Sequence, residues 1–197
     1  MLTRRGVITG AAASATAGLL GAMPASATLR NSDVQPDPTY DPSEIVDAGH
    51  QAFGGVSQGL AGVVEHLFRS MGRPNGYIVG QEGSGAIFAG LRYGEGRLQT
   101  RNAGEHLVFW QGPTIGFDVG GDGARVLMLA YHLPSVDALY QRFGGINGQA
   151  YAVAGVGVSV YAANDVFLAP IRSGIGARLG ANIGYLNVTR QPTWNPF

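Results

Sequence analysis

The 197-residue chain contains no cysteine and no lysine, and its charge is sparse: 13 arginines against 13 acids. Without cysteine there is no lipoprotein anchor, no disulfide and no thiolate metal site, although an exported chain could have used disulfides. The fold therefore rests on its core alone. Without lysine there is no P-loop, and removing Arg4 and Arg5 leaves 11 arginines against 13 acids, a net charge of −2. That balance excludes the basic footprint of a nucleic-acid binder. Long apolar runs are also missing: after residue 27 none reaches the roughly 18 residues that a membrane-spanning helix needs. The mature chain is expected to be soluble, with no transmembrane segment.

What is present begins with an export signal. Arg4 and Arg5 form a short positive region, Gly6 to Met23 is uncharged and rich in Ala, Gly and Leu, and Ala25-Ser26-Ala27 is a small-x-small cleavage site. Cleavage is expected between Ala27 and Thr28. Thr3-Arg4-Arg5-Gly6-Val7-Ile8 is also similar to a twin-arginine signal, with Val in place of the favoured Phe. By either the twin-arginine or the general secretory route the destination is the periplasm or an equivalent space.

The mature 170 residues suit one domain with a sizeable core. Residues 28–40, polar and containing Pro36 and Pro38, read as a disordered tether, so the folded domain spans 41–197. Asp41-Pro42-Ser43-Glu44 is a helix start with a capping box. Apolar residues from Ile45 to Met71 then recur at three and four, making an amphipathic helix that Gly54-Gly55 kinks or splits and Gly72 and Pro74 end.

From Gly76 the period changes to two. Strands are expected at about 77–82, 85–93, 96–101, 106–111, 114–119, 124–131, 150–161, 165–170, 174–181 and 183–189. Turn signals separate them at Gly94-Glu95-Gly96, Asn102-Ala103-Gly104, Asp122-Gly123, Asn147-Gly148 and Asn164-Asp165. One short helix is expected over 135–142. The pattern implies a mainly β fold: a small closed antiparallel barrel of about ten short Gly-rich strands, with the N-terminal helix covering an apolar face. The Gly-rich strands, such as GIGARLGANIGYLN over 174–187, suit sharp bends or a narrow interior that leaves one face bare.

Chemical motifs are few. Gly55-Val56-Ser57-Gln58-Gly59 matches a nucleophile elbow, but it lies inside a helical pattern with no preceding strand, which fits close helix packing better. The pairs Gly83/Gly85, Gly155/Gly157 and Gly174/Gly176 lack the full spacing of a phosphate loop. His50, His66, His106 and His132 lack metal-ligand spacing, and Asp118 to Gly123 lacks the closing Glu of a calcium loop. Neither a metal nor a cofactor is expected, nor any catalytic residue. The charges embedded in strands stand out: Arg92 beside Tyr93, then Asp118, Arg125 and Arg178. With Trp110 they are the candidate ligand or polar-pocket residues, and the same charges suit structural pairing across the sheet.

Several motifs carry a family resemblance. Glu44 to His50 (EIVDAGH), Gly90 to Gly96 (GLRYGEG), Val108 to Pro113 (VFWQGP), Gly120 to Val126 (GGDGARV), Leu133 to Tyr140 (LPSVDALY) and the ending from GARLG through PTWNPF closely resemble the periplasmic envelope integrity protein A family. The resemblance runs over about 41–197 and implies a role in envelope stress resistance, with no enzymatic site to carry over. More distantly the same stretch is similar to SYLF lipid-binding domains, which implies a small closed barrel and lipid contact.

The expected function is accordingly non-enzymatic support of the envelope, through an envelope lipid or polymer as ligand. A periplasmic protein scaffold using Trp110 and Trp194 is the alternative, and a hydrolase using Ser57 or a carboxylate pair is a third reading.

Overall fold

The computed structural model describes residues 38–55, 58–84, 91–113, 124–146, 151–173 and 184–193. The export signal, with Ala27 and Thr28, lies outside them, as do Ser57, Asp118, Arg178 and Trp194 and most of GIGARLGANIGYLN.

Two helices open the fold: α1 (Pro42–Phe53) and α2 (Gln58–Met71). Glu44 reaches back to accept the Asp41 backbone N–H at 2.8 Å, satisfying one donor of the first turn. Gly54 ends α1 in the left-handed conformation at φ 73°, its N–H closing on the His50 carbonyl at 3.1 Å. The glycine pair thus splits the amphipathic stretch rather than kinking it.

Among the described residues ten strands follow: β1 (Gly76–Ser84), β2 (Leu91–Thr100), β3 (Gly104–Pro113), β4 (Ala124–Tyr131), β5 (Arg142–Gly145), β6 (Tyr151–Val153), β7 (Val156–Val158), β8 (Tyr161–Ala163), β9 (Val166–Ser173) and β10 (Tyr185–Thr189). Every pairing is antiparallel, in the order β4-β1-β2-β3-β10-β5-β8-β9, and β9 pairs back onto β4. Eight strands therefore close a barrel, and the β6–β7 hairpin extends β9 beyond β8.

The expected architecture is present, but three segments differ. Gly94-Glu95-Gly96 is no turn: β2 runs through it, paired with Gln81, Gly80 and Glu82 of β1 on one side and with β3 on the other. Residues 150–161 are no single strand either. Ala154 (φ 47°) and Gly155 (φ 79°) make a two-residue hairpin whose positive φ angles match the strand twist. Within 135–142 only Val136–Leu139 is helical, as a single 3-10 turn capped by Ser135, and Arg142 already begins β5. The Asn164-Asp165 turn forms where expected, with φ 47° and 64°.

Side chains occupy the barrel interior. Ile78, Leu98, Val108, Trp110, Val126, Met128, Phe143, Leu168 and Leu186 form one buried cluster, contributed by alternate positions of the strands. Trp110 explains Gly94 and, together with the β2 backbone at Glu95 and Gly96, crowds Gly80. A Cβ on Gly94 would stand 2.2 Å from Trp110 Cε2, and one on Gly80 2.8 Å from Cη2, so the indole lies where neighbouring strands present bare backbone.

A second core lies outside the barrel wall. Ile45, Leu60, Val63, Val64 and Leu67 of the helices cover Leu127, Leu129 and Tyr131 of β4, Ala169 and Ile171 of β9, and Val156 and Val158 of β7. This is why β4 reads as an unbroken apolar run: one of its faces is inside the barrel and the other is under the helices. Gly59 lets α2 approach the β6–β7 hairpin, since a Cβ there would meet the Val153 carbonyl oxygen at 2.2 Å.

Tyr40 packs against the strands just ahead of α1. Tyr40 is buried, its N–H donates to the Pro74 carbonyl at 2.9 Å, and its ring lies edge-on to Tyr77 at 4.9 Å with the Arg101 guanidinium 4.6 Å above it.

Candidate functional site

With the barrel interior occupied, concave surface is found on its outer wall. A 660 Å³ groove runs between α1 and the outward face of β1 and β2, lined by Gln51, Tyr77, Gln81, Glu95, Arg97 and Gln99 among others. A second groove of 410 Å³ crosses β1, β2 and β3 to the segment after β10, with Tyr93, Phe109, Gln111, Pro192 and Thr193 in its walls. The two adjoin at Gln81 and Glu95, whose side chains are hydrogen-bonded at 3.0 Å, and together they make up the outer trough.

Its charges are largely answered within the wall. Arg97 pairs with Glu105 at 2.5 Å, and Gln99 donates to the other oxygen of that carboxylate. These donors hold the Glu105 carboxyl below the usual carboxylate range. The result is a surface of amides and aromatic rings with little unbalanced charge. Apolar inside and polar outside, this wall has the reverse polarity of a lipid-exposed barrel. Among the described residues no helix is long and apolar enough to cross a membrane.

A charged cluster sits beneath the trough, inside the barrel at the end where β1 and β9 finish and β2 begins. Glu82 is almost fully buried. Arg172 donates to both of its carboxylate oxygens, at 3.0 and 3.1 Å, and Trp110 Nε1 donates at 2.9 Å. Burial pushes the Glu82 carboxyl up, but the charges of Arg172 and Arg92 and the bonds from Arg172 and Trp110 outweigh it and hold it at about 2. Arg92, also buried, donates from Nη2 to the Tyr161 hydroxyl at 2.6 Å, with its guanidinium carbon 5.4 Å from the centre of that ring.

Residues 38–197 match the family model of envelope integrity protein A. The chain belongs to the envelope integrity protein A family. It is 55% identical to a crystal structure described as a beta-barrel-like, uncharacterized protein from Brucella abortus, with a TM-score of 0.76 over 82% of this chain and 100% of that one. No curated protein matches the chain.

In this member of the family the candidate residues divide between the two faces of the wall. Arg92 and Trp110 belong to the buried cluster, Trp110 also reaching the second groove, and Tyr93, the next residue along β2, lines that groove. Arg125 is outside, where its Nη1 donates to the Ala52 carbonyl at 2.9 Å in the last turn of α1, a favourable place for a cation. Asp118 and Arg178 lie outside the described residues. Sequence reasoning did not single out Glu82, Arg172 or Tyr161. Glu82 carried a signal, since it continues the inward series Ile78, Gly80 and so puts a carboxylate on the apolar side of its strand.

The histidines are dispersed. His66 stacks on Tyr151 at 4.1 Å, His132 meets the edge of Phe167, and His106 Nε2 lies 2.9 Å from the Ala103 carbonyl. Among the described residues no three metal-ligating groups gather.

Proposed function

We propose that this member of the envelope integrity protein A family is an exported, non-enzymatic periplasmic protein that supports the envelope by binding an envelope polysaccharide in its outer trough. The observation that carries this reading is the filled interior. Trp110, Met128 and Phe143 occupy the space in which a hollow barrel would hold a ligand, so the outer wall is left for binding. The trough is open and extended. Its amides at Gln51, Gln81 and Gln99 suit hydroxyl and acetamido groups, and its rings at Tyr77, Tyr93 and Phe109 suit the apolar faces of sugars.

The non-enzymatic part is supported by the state of Glu82. A carboxylate occupied by three donors and held at about 2 is poorly matched to proton transfer near neutral pH.

The more apolar half of the trough, around Phe109 and Pro192, favours a second reading, in which an acyl chain of an envelope lipid lies there. Co-sedimentation with insoluble peptidoglycan, run beside flotation with phospholipid vesicles, separates the two. The mature protein is expected to pellet with the polymer, and Tyr93→Ala and Gln81→Ala are expected to weaken this at least several-fold while leaving the fold intact. Flotation without pelleting would assign the trough to lipid.

A further inference from the structure

The buried cluster holds a cation whose charge the described residues leave unanswered. Arg172 and Glu82 satisfy one another through two hydrogen bonds, and Trp110 takes a further lone pair of the carboxylate. Arg92 lies close enough to Glu82 to help hold it ionised, yet it forms no ion pair with it. Its one hydrogen bond goes to a neutral group, the Tyr161 hydroxyl, and its buried Nε–H has no acceptor. Arg92 is 9% exposed and Tyr161 4%. Arginine does not shed its proton on burial, so this guanidinium is charged where it stands. A buried charge without a counter-charge is a costly arrangement, and each such group asks for an explanation.

Tyr161 adds a second unspent donor. Its oxygen accepts from Arg92, which leaves the hydroxyl hydrogen to point elsewhere. Beside the Arg172–Glu82 pair, the Arg92 guanidinium thus carries an Nε–H with no acceptor, and the hydroxyl bonded to its Nη2 has a hydrogen of its own to give.

We propose that Arg92 and Tyr161 form an anion-binding site inside the end of the barrel, one that takes a phosphate or carboxylate group. Arg92 supplies the charge and the Nε–H, and Tyr161 supplies the O–H. Glu82 keeps Arg172 in place and, as the one carboxylate of the cluster among the described residues, limits the site to small or singly bound anionic groups. The site lies beneath the outer trough, whose floor Glu82 and Trp110 reach, and neither Arg92 nor Tyr161 lines that groove. The anion is either a free one or the headgroup of an anionic lipid, since both present the same oxygens.

Thermal unfolding of the mature protein tests this, with inorganic phosphate titrated against chloride at constant ionic strength. The wild type is expected to gain several degrees in Tm along a saturating curve. Arg92→Gln, which keeps the length of the side chain and removes the charge, is expected to lose that response, and Tyr161→Phe to weaken the apparent affinity for phosphate about tenfold. A purely structural role for Arg92 would lower Tm in Arg92→Gln and leave the phosphate response unchanged, which overturns the proposal. If Arg92→Gln does not fold, Tyr161→Phe decides by the same criterion. Vesicles of phosphatidylglycerol and of phosphatidylcholine distinguish the sources: Arg92-dependent flotation with the anionic lipid alone assigns a headgroup, and a phosphate response without flotation assigns a free anion. No response to phosphate and no anionic-lipid binding in the wild type refutes the site.

Discussion

Glu82 is ionised inside the barrel because Arg172 and Arg92 outweigh the cost of its burial, and this gives the protein a pH signature. Its folded value of about 2 lies below the 4.5 of a free glutamate, so the carboxylate contributes stability at pH above 4.5. That contribution fades as pH falls from about 4.5 to about 2 and amounts to about 3 kcal/mol. Denaturant unfolding should show the wild type losing this much more stability than Glu82→Gln over that interval. At neutral pH Glu82→Gln should itself be destabilised by about 3 kcal/mol, since it removes the buried charge to which Arg172 and Trp110 donate. Tyr131 behaves oppositely. Its hydroxyl is buried between helices and sheet without a hydrogen-bond partner, and burial pushes its pKa up, so Tyr131→Phe should raise stability by about 1 kcal/mol in the same assay. At this scale the sequence showed Arg92 and Trp110 as unusual members of strands but not what they touch. Glu82 and Arg172 are 90 positions apart, and only the path of β1–β4–β9 around the wall brings them together.

At the scale of elements, the two-residue period located most strands because each has a dry and a wet face, and the glycine pair located the break between α1 and α2. The period failed where glycine served packing rather than turning. Gly94 and Gly96 look like a hairpin in sequence, yet both continue β2, and Gly94 is small because the Trp110 indole rests on it. The reverse error occurred at Ala154-Gly155, where alternation continues through the residues that turn the chain. Gly94→Ala should therefore destabilise the barrel by about 3 kcal/mol, at the upper end of overpacking costs. In a double-mutant cycle with Trp110→Leu most of that penalty should disappear, giving a coupling of at least about 1 kcal/mol. Additive effects would mean that Gly94 is needed for its backbone conformation and not for the indole.

For the molecule as a whole, the closed antiparallel barrel was legible from the number of short strands and their turns, and family membership from the ordered motifs over about 41–197. What closes the barrel was not legible: β4 and β9 pair across some forty residues of chain, and nothing local in either strand announces the other. Nor did alternation distinguish a hollow interior from a filled one, since that depends on Trp110 meeting bare backbone two strands away at Gly80. The filled interior is the central claim, because it moves polysaccharide binding to the outer wall. Nuclear magnetic resonance of the mature protein, titrated with soluble peptidoglycan fragments, tests it most directly. The side-chain amides of Gln51, Gln81 and Gln99 and the rings of Tyr93 and Phe109 should shift together and saturate, while Val108, Met128, Phe143 and Leu168 stay in place. Shifts concentrated on those four core residues, with the trough unmoved, would show a ligand entering the barrel and contradict the account.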